Sequence, residues 1–166
     1  LENWKSKIFP KVNNAKLNLY TGISTYGKFG EKHSVKTEKV LNIAKSFKNF
    51  GVNLYKPLKR EDLFKKLNQS RIFLYKGTND ETCCMAAAEA QALGIPAVVC
   101  NYGAMKERVL DNETGFVCET EQEFNLKAIK LLNDDKIWMK MHQNLLKNDN
   151  HLRWSDVAKK WKKIIN

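Results

Sequence analysis

The sequence predicts an α/β fold: a Rossmann-like parallel sheet with helices on both faces. Three observations carry that expectation. Short apolar or aromatic runs recur along the first two thirds of the chain, most of them bounded by Gly, Pro, Asn or Lys. Between them lie stretches whose apolar residues repeat at helical spacing. After Cys118 the alternation stops and only helical patterns follow. Parallel neighbours need a long crossover, so strand–helix alternation favours a parallel sheet.

The elements follow in order. Leu1–Phe9 reads as an amphipathic helix through Leu1, Trp4 and Ile8. A helix in that place normally follows an earlier strand, so the first strand of the sheet is expected to be missing from these residues. Leu17–Tyr20 is the first strand-like run. Thr37–Phe50 is helical, with Val40, Leu41, Ala44, Phe47 and Phe50 at spacings of three and four. Val52–Tyr55 is a strand, Glu61–Asn68 a helix with Leu63, Phe64 and Leu67 on one face, and Ile72–Tyr75 a strand. Thr82–Leu93 is Ala-rich and strongly helix-forming. Strands are expected at Ala97–Cys100 and Phe116–Cys118, then helices at Glu121–Leu132, Asp134–Leu146 and Trp154–Ile165. Asp134–Asp135 and Ser155–Asp156 supply acidic or capping groups near helix starts. The chain has no internal repeat, and residues 148–153 form the best hinge before a terminal helix at 154–166. Residues 1–166 are thus read as one domain.

Composition excludes some functions. Hydrophobic content of 43% and charged content of 28% fit an ordinary globular domain. The longest apolar stretch is broken by Glu89, Gln91, Gly94 and Pro96, well short of the roughly 18 residues a membrane-spanning helix needs. Cys83, Cys84, Cys100 and Cys118 form no C-x-x-C pair and have no His cluster beside them, so no metal site is expected. Free buried thiols and a cytoplasmic location are the expected reading. The net charge of +11 suits nucleic acid, an anionic membrane surface or an anionic small substrate. The denser basic patches, Lys56–Lys66 and Lys159–Lys163, read equally as solvated helix faces.

One motif is set aside. Gly22 to Lys28 fits the G-x-x-x-x-G-K of a phosphate loop. Phe29 replaces the magnesium-binding Ser or Thr, and Gly30 falls where a helix should open. A Gly-rich connection at the ligand-binding edge of the sheet is the better reading, with Lys28 and His33 near that edge.

The informative segment is Ile72 to Gly115. A strand ends in Lys76-Gly77-Thr78-Asn79-Asp80, and Glu81 precedes an Ala-rich helix that contains Glu89. A carboxylate embedded among alanines costs on the order of several kcal/mol without a partner, so Glu89 is solvated, paired or poised for a ligand. Polyol hydroxyls are good partners, since one carboxylate accepts from two of them. Glu81 is expected in the turn before the helix, where N–H groups around Cys83, Cys84 and Met85 can hold an anion. The bland alternative makes Glu81 a capping carboxylate and Glu89 a solvent-facing charge.

This segment resembles the E-x7-E motif of the GT-B-fold retaining glycosyltransferases, of the large group that includes family 4. Gly94-Ile-Pro96-Ala-Val-Val resembles that family's G-x-P-V-V strand. Gly103 to Val109 and Asp111 to Phe116 resemble its G-x-x-x-E-x-V and D-G-x-T-G-F elements, and Trp154 to Trp161 its closing helix. The likeness covers most of the chain in the right order. It implies the C-terminal, donor-binding half of a GT-B fold, which takes a sugar from a UDP- or GDP-linked donor without a metal or other cofactor. Glu89 would bind the ribose, and Glu81, the catalytic candidate, would contact the donor sugar. Gly77, Thr82, Cys83, Cys84 and Met85 would line the donor, with backbone N–H groups of Cys83–Met85 toward the diphosphate. Thr82-Cys83-Cys84 departs from the usual Gly or Phe after the first Glu, which puts the sugar's identity in doubt. The resemblance also implies that the diphosphate-binding Arg and Lys, and the acceptor-binding domain, lie outside these residues. The chain by itself is therefore expected to be inactive. Its other expected partner is a lipid-linked or membrane-proximal acceptor at the membrane periphery, not nucleic acid. A non-catalytic nucleotide-binding module of doubly wound fold is the alternative.

Overall fold

The computed structural model describes residues 1–21, 28, 34–147 and 154–165. The Gly22–Gly27 loop, Gly30, His33 and the expected hinge at 148–153 lie outside the described residues.

The fold is α/β with parallel strands, as the alternation requires. Strand β1 (Leu17–Tyr20) pairs in parallel with β2 (Val52–Tyr55), Leu17 opposite Val52. A second ladder runs β3 (Phe73–Tyr75), β4 (Ala97–Cys100), β5 (Gly115–Cys118), again parallel, in the order β3-β4-β5. Every residue of β4 is buried, as expected for an apolar run between two parallel neighbours.

Helices cover both faces. Helix α1 (Ser34–Ser46) joins β1 to β2, and α2 (Arg60–Leu67) leads from β2 to β3. Helix α3 (Met85–Ala92) follows β3, and a short α4 (Met105–Arg108) follows β4. Helices α5 (Glu121–Asn133), α6 (Asp135–Lys147) and α7 (Trp154–Ile165) come after the last strand. One core cluster unites Trp4, Ile8, Ala44 and Phe47 with Val98, Phe116, Leu131 and Met141. The smaller cluster on the opposite face holds Cys84 and Ala87 of the α3 region with Ala97, Val99, Met105 and Val109. Alternate residues of β4, Val98 against Ala97 and Val99, thus face the two clusters, as the period of two along a strand demands. Each fully buried Val or Leu stabilises the fold by about 1.5–3 kcal/mol.

Several boundaries moved for local reasons. The expected amino-terminal helix is wound as a π-turn over Trp4–Ile8 and a 3-10 turn over Phe9–Lys11. Pro10 has no N–H to continue a regular ladder there. Its apolar stripe is as expected, with Trp4 and Ile8 buried and the Trp4 indole donating to the Phe50 carbonyl at 2.8 Å. The expected helix Thr37–Phe50 is α1 plus a separate 3-10 turn at Lys48–Phe50, where Phe50 meets Phe47 and Phe9 edge-on. Thr120 caps α5 by accepting from the Glu123 N–H, and the Asp134 carboxylate caps α6 by accepting from Lys136 and Ile137.

Gly115 shows how closely β5 lies on β4. A Cβ there would stand 2.1 Å from the Ala97 carbonyl oxygen. Thr114 beside it accepts from the Leu110 N–H and from the Gln91 side chain, and Asp111 accepts from the Val117 N–H. The Asp111 to Phe116 segment is therefore a lock on the last strand. Gly115→Ala is expected to destabilise the fold by about 1–3 kcal/mol, the usual cost of overpacking. The urea midpoint measures this, and an unchanged midpoint would contradict the packing described.

Candidate functional site

The carboxyl ends of β3 and β4 and the start of α3 meet around Glu81. Tyr75, the last residue of β3, donates its hydroxyl to Glu81 Oε2 at 2.8 Å. Glu81 Oε1 accepts from the Cys84 N–H at 2.9 Å. The backbone is held too: the Glu81 N–H donates to the Thr78 carbonyl at 3.1 Å, and the Glu81 carbonyl accepts from the Ala104 N–H at 2.8 Å. That last bond explains Gly103. Its φ is +51°, and a Cβ would lie 2.2 Å from the Glu81 carbonyl oxygen, so the loop after β4 closes on Glu81 only with glycine there.

These bonds set the electrostatics. The Tyr75 hydroxyl first, then the Cys84 N–H, hold the Glu81 carboxyl below the usual glutamate range. Glu81 is half-buried, and these bonds favour its ionised form. The Cys83 and Thr82 N–H groups also act on this carboxylate and lower its pKa further.

The Ala-rich helix starts three residues later than expected. Cys84 adopts a left-handed conformation at φ +43°, and α3 begins at Met85. The turn that brings the Cys84 N–H onto Glu81 keeps Thr82–Cys84 out of the helix. The same bond directs the Cys84 N–H to Glu81. Thr82, Cys83 and Met85 are exposed around this turn, and Met85 is 61% exposed. Gly77 lies in the turn after β3 and packs toward Met105 and Tyr102.

Glu89 stands apart from Glu81. It sits four residues into α3, about 6 Å along the axis from Met85. Of the three options the sequence left, it is paired: Arg60 Nη2 meets Glu89 Oε1 at 3.1 Å, with side chains 70% and 23% exposed. The Arg60 guanidinium also lies over the Phe64 ring, 5.1 Å from its centroid. Glu89 lines a cavity of about 840 Å3 between β1 and β3, which Tyr20 and Tyr75 also border.

Four residues of this region were not singled out from the sequence. Tyr75 reads only as the end of an apolar strand. Arg60 lies in the basic patch that reads as a solvated helix face. Arg108 donates through Nε to the Cys83 carbonyl at 3.1 Å and through Nη2 to Cys83 Sγ at 2.9 Å, which places a cation beside the start of α3. Its only signal is its place in the Gly103 to Val109 segment. Lys76 at the end of β3 pairs with Glu121 and holds that carboxyl below its usual range. Among the described residues, no group of three or more His, Cys, Asp or Glu side chains comes together as a metal site. No described helix is long and apolar enough to cross a membrane.

The thiols differ from expectation in one respect. Cys84, Cys100 and Cys118 are buried, but Cys83 is exposed because the turn before α3 carries it outward. Burial pushes Cys84 and Cys100 up and pushes Cys118 up to about 12.

Residues 29–150, well over half of the chain, match the family model described as Glycosyl transferases group 1. No curated protein matches the sequence.

Two measurements check the site. Tyr75→Phe is expected to raise the Glu81 pKa, read from its side-chain carboxyl carbon shift against pH. Because the folded value is depressed, the stability Glu81 contributes is full above its unfolded pKa and lost as pH falls through the folded one. The variant therefore loses it at a higher pH, and an unmoved titration would refute the role given to Tyr75. A disulfide reagent such as dithiobis-nitrobenzoate is expected to label Cys83 rapidly in the native chain, and Cys84, Cys100 and Cys118 only after unfolding. Mass mapping of the labelled peptides decides it.

Proposed function

The chain belongs to the group 1 glycosyl transferases, and we propose that the carboxyl edge of its sheet holds the nucleotide-sugar donor of a retaining transfer reaction. In this reading the domain is the C-terminal half of a GT-B fold. The observation that carries it is the state of Glu81: its ionised form favoured, both carboxylate oxygens fixed by Tyr75 and the Cys84 N–H, and the side chain half-buried at the carboxyl edge of the sheet. A charge held this firmly needs no reorganisation when a ligand's hydroxyls reach its remaining lone pairs.

The roles divide as follows. Glu81 accepts from hydroxyls of the donor sugar and is the catalytic candidate. The exposed turn at Thr82, Cys83 and Met85, with Arg108 beside it, faces the diphosphate. Positive groups there stabilise the negative charge that grows on the diphosphate as its bond to the anomeric carbon breaks. Gly77 lets the turn after β3 pass close to this region. Glu89 accepts from the ribose hydroxyls of a UDP- or GDP-linked donor.

Arg60 already occupies one oxygen of Glu89, and the magnitudes decide whether this obstructs binding. An exposed ion pair contributes about 0–1 kcal/mol, and Arg60 is 70% exposed. Hydrogen bonds to a charged group contribute about 1.5–3 kcal/mol each. A diol therefore displaces Arg60 or shares Glu89 with it at little cost.

Glu89→Ala is expected to weaken UDP or GDP binding by about 1–3 kcal/mol, measured by calorimetry. Unchanged affinity for the nucleotide that binds best would sink the role. In a thermal-shift screen, UDP- or GDP-sugars are expected to raise Tm, whereas an equally charged polyanion is not. Equal stabilisation by both would replace this reading with plain anion binding.

A further inference from the structure

The loop that closes on Glu81 also sets an aromatic residue beside it. Tyr102 precedes Gly103, whose backbone lies against Glu81: a Cβ on Gly103 would stand 3.1 Å from the Glu81 Cβ. Consecutive Cα atoms are about 3.8 Å apart, so the Tyr102 backbone is one such step from that contact. Gly77 approaches from the turn after β3, where a Cβ would stand 3.5 Å from the Tyr102 Cβ. The stem of Tyr102 is thus seated against the same turn, Lys76–Cys84, that carries Glu81. With glycine at 77, no side chain from that turn covers the stem.

A single exposed aromatic residue is ordinary on a protein surface. Tyr102 differs in how firmly its backbone is held. Its N–H donates to the Cys100 carbonyl at 2.8 Å, and its carbonyl accepts from the Met105 N–H at 3.1 Å. The neighbouring N–H groups are bonded too, Asn101 to the Cys118 carbonyl at 2.9 Å and Ala104 to the Glu81 carbonyl at 2.8 Å. Met105 is wholly buried and anchors the far end of the loop. Tyr102 itself is 42% exposed. Among the described residues, no ring stacks on it and no side chain bonds its hydroxyl.

A fixed, open ring beside a charged acceptor matches one ligand class. A hexopyranose carries hydroxyls on its rim and C–H bonds on its faces. A carboxylate accepts from the hydroxyls. The negative face of an aromatic ring attracts the C–H bonds and removes their apolar surface from water. Tyr has only two side-chain torsions, so ordering it costs little entropy. The same ring face repels a phosphate. Beside Tyr102, the Asn101 amide donates to Glu119 Oε1 at 2.9 Å. That exposed pair keeps a second amide proton and further acceptor positions for hydroxyls. We infer that Tyr102 selects the sugar at this edge: a C–H face of a hexopyranose stacks on its ring while hydroxyls of that sugar reach Glu81. The inference rests on the reading of Glu81 as the donor-sugar contact.

Two binding experiments on the 166-residue chain test it, and the first needs no nucleotide. Methyl β-glucoside, methyl β-galactoside and methyl α-mannoside are titrated while the Tyr102 ring protons and the Glu81 side-chain carboxyl are followed by NMR. At least one glycoside is expected to shift both signals with a common midpoint. No saturable shift of the Tyr102 ring with any of them overturns the inference. The second is calorimetry with UDP, UDP-glucose, GDP and GDP-mannose. Tyr102→Ala is expected to weaken nucleotide-sugar binding by about 3–10-fold and to leave the bare nucleotides unchanged. Tyr102→Phe keeps the ring and should bind as the wild type does. Equal losses for nucleotide and nucleotide-sugar overturn the inference and assign the ring to the base. Equal losses in Tyr102→Phe and Tyr102→Ala overturn it in favour of a hydroxyl contact, and no loss in either also refutes it. If Tyr102→Ala misfolds, Tyr102→Leu takes its place, since it keeps apolar bulk and loses the ring. Failure of all four nucleotides to bind the wild-type chain sinks the donor reading, and the glycoside titration then decides the role of Tyr102.

Discussion

The rest of the structure depends on one requirement: the backbone of a wholly buried strand must find all its partners within the protein. β4 has no exposed residue, so its N–H and C=O groups are satisfied by β3 and β5. Parallel pairing on both sides brings the carboxyl ends of these strands to one edge of the sheet. The connections leaving that edge, the turn Lys76–Cys84 and the loop Asn101–Ala104, then lie beside each other. Their contact at Glu81 and Ala104 is a consequence of the pairing, and Gly103 is the residue that makes the approach sterically feasible.

The two glutamates illustrate how one residue type takes different properties from its surroundings. Glu81 is gripped by a phenol and a backbone amide, which keep it charged and still. Glu89 is held by a single, mostly exposed arginine, an interaction weak enough to yield to a ligand. On the proposed reading, the firm carboxylate meets the reacting part of a ligand, where misplacement by about 1 Å is costly. The yielding one is suited to a distal part, where affinity matters more than alignment. Arg108, the last residue of α4, supplies positive charge at the start of α3, where the Cys84 amide is already used.

The interruption between β1 and β3 belongs to the same logic. Parallel edges left open are polar on the rim and apolar on the faces, and Glu89 and Tyr75 border that gap. The edge that carries the candidate site and the gap between the two described ladders are therefore neighbours.

The sequence by itself determined the fold class, because the periods of two and 3.6 and the apolar character of Val52–Tyr55 or Ala97–Cys100 are local properties. It also marked the segment that carries the candidate site, because a turn, two spaced carboxylates and an Ala-rich helix are contiguous in the chain. The boundary of that helix, the exposure of Cys83 and the partners of both glutamates were decided only by tertiary structure. The Ala-rich run reads as a helix from Thr82, but the turn bonded from Cys84 back to Glu81 delays its start to Met85. Arg60 and Arg108 come from 29 residues before Glu89 and 25 after Cys83, and no local pattern marks such pairings. The assembled fold brings them together, and that is not a local property of the chain.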